Sequence, residues 1–360
     1  MLITSVVGAR PNFMKVAPVH RRLAALGVAQ RLVHTGQHYD ASMSKVFFQD
    51  LGLPAPDVHL GVGSDAPARQ TARIMIAFEE FCTAQRPDLV LVSGDVNSTL
   101  AAALVAAKQG IALGHIEAGL RSFDRRMPEE LNRVITDQLA GLLFTTEESA
   151  NQNLRREGVA DERIHFVGNC MVDTLLEHIE AALAKAPWQE LELEPESYAL
   201  LTLHRPSNVD DPQALGDLLA AIAEVAKRLP VLFPIHPRTR ERLAAAAAVV
   251  PATLRICDPL PYLSFLGLMA RARLVLTDSG GIQEETTALD VPCLTLRDNT
   301  ERPVTMTHGS NRLVGTDRER ILAAVEEILN GGWRHATRPP LWDGKAADRI
   351  VWAILEWLRK

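Results

Sequence analysis

The chain predicts an α/β fold on parallel sheets, arranged as two similar halves with a cleft between them. Three observations carry this. Short β-branched runs alternate with alanine-rich helical stretches along the whole sequence, the pattern of repeated βαβ units. A length of 360 residues exceeds what one ordinary core serves and suggests two domains. Between the two sets of runs lies Ala181–Glu196, which carries two prolines and many charges and reads as a connection.

In order, the first half predicts strands at Leu2–Val7, Gln30–His34, Leu89–Ser93, Ile111–Ile116, Leu142–Thr145 and Ile164–Val167. Helices fill the gaps, notably Asn12–Leu26 and Asn97–Lys108. The second half predicts strands near Tyr198–Leu203, Val231–Ile235, Thr253–Ile256, Leu274–Thr277 and Pro292–Thr295, with helices at Pro212–Arg228, Arg238–Ala247 and Gly281–Leu289. A last helix, Ala346–Arg359, is free to pack back on the first domain. The expected division is 1–180, 181–345 and a terminal helix 346–360.

Apolar content of 47% and charged content of 23% are those of a soluble globular protein. A formal net charge of −6 offers no general attraction to nucleic acid or anionic membrane, so any phosphate binding must be local. Cys82, Cys170, Cys257 and Cys293 stand far apart with no metal-binding spacing, as expected of buried free thiols in a reducing cytoplasm. The N-terminus reads as a strand and not as a signal peptide, and no run is long enough to span a membrane.

The chemistry concentrates in Ser93–Asp137. Asp95 follows one strand, Glu117 follows the next, and Glu129 opens a helix just after Pro128. Carboxylates at the carboxyl ends of adjacent parallel strands face the crevice where open α/β sheets bind ligands. Clustered acids repel, which raises at least one into the range of a general acid. Glu129 and Arg133, four apart, also fit a plain helix-surface ion pair. The acids are hard-oxygen ligands for a magnesium ion too, but the nearby Lys15, Arg121 and Arg133 favour metal-free chemistry.

Gly8-Ala9-Arg10-Pro11-Asn12 ends the first strand and leads into a helix carrying Lys15; an anion could sit there, but on this motif alone an ordinary strand-to-helix turn with two solvated cations is the better reading. Thr277-Asp278-Ser279-Gly280-Gly281 repeats the pattern with more chemistry. Two glycines admit a phosphate closely, Ser279 can donate, the helix dipole favours negative charge, and Glu285 can take both hydroxyls of a ribose. His204 and His236 each follow a strand, where a histidine can meet a phosphate or shuttle a proton.

Together these residues resemble the non-hydrolysing UDP-N-acetylglucosamine 2-epimerases. The resemblance runs from Val7-Gly8-Ala9-Arg10-Pro11 through Gly36-Gln37-His38, Ser93-Gly94-Asp95, His115-Ile116-Glu117-Ala118-Gly119-Leu120-Arg121, Pro128-Glu129-Glu130-Leu131-Asn132-Arg133 and Ser279–Glu285 to Thr300-Glu301-Arg302-Pro303. It implies a glycosyltransferase-B-type fold, two Rossmann-like domains closing on a UDP-sugar, as a homodimer. It also implies departure of UDP with removal of the C2 proton, a bound 2-acetamidoglucal, reprotonation on the opposite face and re-addition of UDP. Neither cofactor nor metal is required, and no GxGxxG occurs. By the matching motifs, Asp95, Glu117 and Glu129 are expected to move protons. Lys15, Arg133 and His204 support the diphosphate or a carboxylate. Arg10, His236, Ser279, Gly280, Gly281, Glu285 and Arg302 are expected at the nucleotide. The product is expected to feed cell-surface polysaccharide.

Three departures stand out. Many bacterial members continue Gln-His with a further glutamine and take a second UDP-N-acetylglucosamine as activator. Here Tyr39-Asp40-Ala41-Ser42-Met43 follows, leaving Gln37 and His38 as a remnant of that site. His204-Arg205 continues as Pro206-Ser207-Asn208 where Glu-Asn is common, and Val304 follows Pro303 where an acid is usual. The last two allow a variant sugar such as a 2,3-diacetamido uronic acid.

Overall fold

The computed structural model describes residues 1–37, 50–235, 237–245 and 254–359. His38, His236 and the side chain of Arg10 lie outside the described residues. The described chain divides into two compact units, Met1–Glu177 with Pro340–Lys360, and His178–Pro339.

The first unit is built on seven parallel strands: β1 (Leu2–Val7), β2 (Ala29–His34), β3 (Val58–His59), β4 (Leu89–Ser93), β5 (Ala112–Ala118), β6 (Leu142–Thr145) and β7 (Ile164–Phe166). Their order is β3-β2-β1-β4-β5-β6-β7. The order reverses between β1 and β4, so the loops leaving those strands diverge and open a crevice at their carboxyl ends. Both faces of the sheet are covered, which is why its strands read as continuous apolar runs. On one face Ile3, Leu89, Leu91 and Phe144 pack with Val19 and Leu23 of the helix Arg10–Ala25 and with Ile350 and Ile354 of the terminal helix Ala346–Trp357. On the other, Val6, Val33, Val90 and Val92 pack with Phe78, Ala102, Ala106 and Leu154.

The second unit repeats the plan with six strands: β8 (Ala199–Thr202), β9 (Val231–Pro234), β10 (Leu254–Cys257), β11 (Leu274–Thr277), β12 (Cys293–Thr295) and β13 (Asn311–Leu313). The order is β10-β9-β8-β11-β12-β13, again parallel, with the switch between β8 and β11. Leu201, Leu276 and Leu294 form its core with Leu218 and Ile222 of the helix Pro212–Ala226 and Ile321 and Val325 of the helix Arg318–Leu329.

Two strands stand outside the sequence expectation, β3 and β13, each too short to show an alternation. A third difference bears on the site. The strand expected at Ile111–Ile116 continues to Ala118, with a register shift against β6 between Ile116 and Ala118. The shift sits at Glu117, whose φ is 71°, a left-handed conformation that costs a non-glycine residue roughly 1–2 kcal/mol.

Candidate functional site

Within the first unit, the groups at the switch point are held by Lys15, Asn12 and Arg133. Asn12, in the first turn of the helix Arg10–Ala25, accepts from the N–H groups of Gly8 and Ala9 at 3.2 and 3.1 Å and donates to Ser93 O at 2.8 Å. From sequence this motif reads as an ordinary strand-to-helix turn in preference to an anion site. Two of the N–H groups such a site would use are instead spent on Asn12, so the turn serves to lock β1 against the end of β4.

One helical turn on, Lys15 Nζ meets Glu117 Oε1 at 2.7 Å, and both side chains are buried. Gly94 lets them approach. It turns the chain after β4 with φ +64°, and a Cβ there would lie 2.9 Å from Lys15 Nζ. Asp95, the next residue, keeps 23% of its side chain exposed and pairs with Arg133 Nη2. Asn132 Nδ2 holds the Asp95 carbonyl at 2.8 Å. Asp95 and Glu117 therefore do not form a bare carboxylate cluster; each meets its own cation.

The helix Pro128–Leu139 divides its first two acids differently from the simple spacing argument. Arg133 Nη1 pairs with Glu130 Oε2 at 2.8 Å, three residues back, and not with Glu129. Glu130 also accepts from Ser122 N, Ser122 Oγ and Phe123 N, each at 2.9 Å. Glu129 is half-buried and has no hydrogen-bond or ion-pair partner among the described residues. Glu130 was not singled out by sequence, since both acids of Pro-Glu-Glu fit a helix start.

Gln37 is buried; its Oε1 accepts from Ser98 N at 3.0 Å and from Ser98 Oγ at 2.6 Å. Among the described residues no group of three or more His, Cys, Asp or Glu side chains is arranged to hold a metal ion.

Within the second unit, Asp278 organises the switch point. Fully buried at the end of β11, it accepts from the backbone N–H of His204 at 3.0 Å, that of Arg205 at 2.9 Å and Asn208 Nδ2 at 3.2 Å. His204 Nδ1 lies 2.9 Å from Asp278 Oδ1. Burial opposes the charge, yet His204 and these N–H donors hold the Asp278 carboxyl below its usual range. Asp278 thus fixes the loop after β8 and leaves the His204 ring half-exposed.

Beside it the helix Gly280–Leu289 begins at Ser279, whose side chain makes no capping hydrogen bond, a helix start suited to an anion. Glu301 gathers three guanidiniums: Arg302 Nη1 at 2.7 Å, Arg297 Nη2 at 2.8 Å and Arg205 Nη2 at 3.4 Å. Arg302 Nε also lies 3.0 Å from Glu284. Arg205, Arg297 and Arg302 thus meet Glu301 and Glu284 next to the helix start. A Cβ on Gly280 would come within 2.7 Å of both Arg302 Nη1 and Glu301 Oε1, so a side chain there would have to shift the ends of these two groups. Arg302 is therefore a buried member of this charge network. Glu285, further along the helix, is buried, accepts from Tyr262 Oη at 3.3 Å, and has its carboxyl pushed up to about 8, chiefly by burial. Asp278, Arg205 and Glu301 stand in motifs read from the sequence without a role given to them, and Arg297 in none; only the fold shows what they bond to.

Two parallel Rossmann-like units in one chain define a protein of the glycosyltransferase-B class. The family model for UDP-N-acetylglucosamine 2-epimerase matches residues 21–355. A UDP-N-acetylglucosamine 2-epimerase of Methanococcus maripaludis is 43% identical over 355 residues, 96% of each chain. The crystal structure of Methanocaldococcus jannaschii UDP-GlcNAc 2-epimerase in complex with UDP-GlcNAc and UDP superposes with a TM-score of 0.93 at 41% identity, covering 99% of this chain and 100% of that one. UDP-2,3-diacetamido-2,3-dideoxy-D-glucuronate 2-epimerase of Pseudomonas aeruginosa is 40% identical over 336 residues, 91% of this chain and 92% of its own. The chain belongs to the UDP-N-acetylglucosamine 2-epimerase family.

Proposed function

We propose that the protein interconverts UDP-N-acetylglucosamine and UDP-N-acetylmannosamine by eliminating UDP to 2-acetamidoglucal and adding it back on the other face. The observation that carries the reading is the buried Lys15–Glu117 pair beside the partly exposed Asp95–Arg133 pair, both at one switch point. The C2–H of the sugar has no adjacent carbonyl, so its removal must lean on early departure of the diphosphate. The two faces of C2 call for two proton-handling groups. Asp95 and Glu117 fill that need, with Glu129 a third carboxylate of the same set.

The leaving diphosphate needs positive potential, for which the start of the helix at Ser279, Gly280 and Gly281, His204 and the arginines around Glu301 are the groups at hand. Glu285 is assigned to the ribose, and Arg10 and His236 keep the nucleotide contacts that the resemblance implies. NMR of the protein with UDP-N-acetylglucosamine in D2O tests this: deuterium should enter C2 of both epimers, and its absence from both rejects the mechanism.

The Pseudomonas aeruginosa relative supports a second reading on the substrate, a 2,3-diacetamido uronic acid. Presenting both UDP-sugars and identifying products by mass spectrometry separates the two. We also read the chain as a cytoplasmic homodimer. No helix among the described residues is long and apolar enough to cross a membrane. Leu131 and Ile135, one turn apart on the helix Pro128–Leu139, are exposed apolar side chains of the kind a subunit interface covers. Sedimentation equilibrium at twice the chain mass is expected.

A further inference from the structure

We propose that His115 and Asp137 act as a positioning pair that holds the carboxylates of Asp95 and Glu117 in register without touching the substrate; this rests on the proton-transfer roles given to those two acids. His115 lies on β5 with its ring fully buried. Its Nε2 is 2.8 Å from Gly94 O and its Nδ1 is 2.6 Å from Asp137 Oδ1. A carbonyl only accepts, so Nε2 carries a hydrogen and donates to Gly94. Asp137 Oδ2 accepts from Gly119 N at 3.0 Å and pairs with Arg121 Nη1 at 2.7 Å. Those donors call for a carboxylate, and His115 and Arg121 hold the Asp137 carboxyl below its usual range even though burial opposes it. The ring is therefore clamped between the Gly94 carbonyl and the Asp137 carboxyl group.

What the pair connects is the reason for the proposal. Gly94 is the residue before Asp95. Gly119 lies two residues beyond Glu117, on the far side of the left-handed bulge. Asp137 sits one helical turn after Arg133, the cation of Asp95. One buried dyad thus bonds to the loop after β4, the bulge after β5 and the helix carrying Arg133. Arg121 closes the outer side by two bonds to Glu157, Nε to Oε1 at 2.8 Å and Nη2 to Oε2 at 2.6 Å. A buried ion pair is a poor device for stability, because apolar side chains of similar volume serve as well or better. It is a good device for geometry, because each donor and acceptor accepts only one arrangement. Glu117 is held at φ 71°, a conformation the chain does not keep unless neighbours enforce it.

The test uses the full-length protein with Asp137→Asn and, separately, His115→Gln. Melting temperature, UDP affinity by calorimetry, kcat, KM and C2 deuterium incorporation are read for each. Misplacing the acids should cut kcat and the exchange rate by about 100-fold or more, with KM and UDP affinity within about threefold of wild type. Folded variants with wild-type kcat overturn the proposal, as does a loss of UDP affinity matching the loss of turnover. Failure of both variants to fold overturns it too, since the pair would then be structural. Absence of C2 exchange in the wild-type protein is a different failure, that of the proposed reaction itself.

Discussion

Lys15 and Glu117 illustrate how a buried charge pair constrains mutation. Each is almost entirely withdrawn from water, so removing one leaves the other's charge in a poor dielectric. Lys15→Met should destabilise the protein by roughly 3–5 kcal/mol and abolish turnover, while Lys15→Met with Glu117→Gln should recover most of the stability and none of the activity. Urea unfolding of the three variants checks the first half, and C2 exchange the second. Glu285 gives a pH prediction of definite sign. Its folded carboxyl stands at about 8, well above the ordinary glutamate value of about 4.5, so between those values the folded state binds more protons than the unfolded one. Stability should therefore fall as pH rises from about 5 to 8, by on the order of 2–4 kcal/mol, and Glu285→Gln should flatten that slope in melting experiments. The roles of neighbouring acids were the least legible part of the site. In Pro128-Glu129-Glu130, spacing to Arg133 is three from one acid and four from the other, and both spacings pair on a helix. Only the loop N–H groups of Ser122 and Phe123 decide for Glu130, and those come from outside the helix.

At the level of elements, strand interiors were legible and strand ends were not. Leu89–Ser93, Leu142–Thr145 and Leu274–Thr277 run as expected because each is a mostly apolar stretch buried on both faces, bounded by polar or glycine residues, and Leu2–Val7 runs as expected up to Gly8. The end of β5 is set by something sequence does not carry, the shift against β6 that turns Glu117 into a left-handed residue. The turn after β4 was read as a motif, Ser93-Gly94-Asp95, but its reason is conformational: φ +64° with Lys15 Nζ lying where a Cβ would go. Gly94→Ala is expected to cost about 1–2 kcal/mol from backbone strain. It should also lower kcat more than strain alone explains, since Lys15 can yield only by leaving Glu117. Comparing the drop in melting temperature with the drop in kcat checks this; a stability loss with unchanged kcat would show that the ammonium moves freely.

At the scale of the whole molecule, the chain leaves the first unit after Glu177 and returns to it at Pro340. The returning segment does not merely lie on the surface. Trp342 is fully buried and its Nε1 donates to Thr146 O at 2.9 Å. Gly168, at φ +89°, passes so close to Leu341 O that a Cβ would be 2.0 Å from it. Asp173 accepts from the N–H groups of Ala346 and Ala347 at 3.1 and 2.8 Å, capping the terminal helix, while Ile350, Val351 and Ile354 complete the core around Ile3, Val19 and Leu23. Burying each of those three side chains contributes about 1.5–3 kcal/mol, so the helix as a whole carries an amount comparable with the entire stability of a domain. A chain ending at residue 339 should therefore lose the cooperative unfolding of the first unit and all C2 exchange. The second unit, contiguous and with its own closed core, should still melt cooperatively and bind UDP. Trp342→Ala should move in the same direction by about 3–5 kcal/mol, lowering one calorimetric transition and leaving the other in place. If the truncated chain kept both transitions, the terminal segment would be an appendage, and the acids at the β1–β4 switch point would owe nothing to the last residues of the chain.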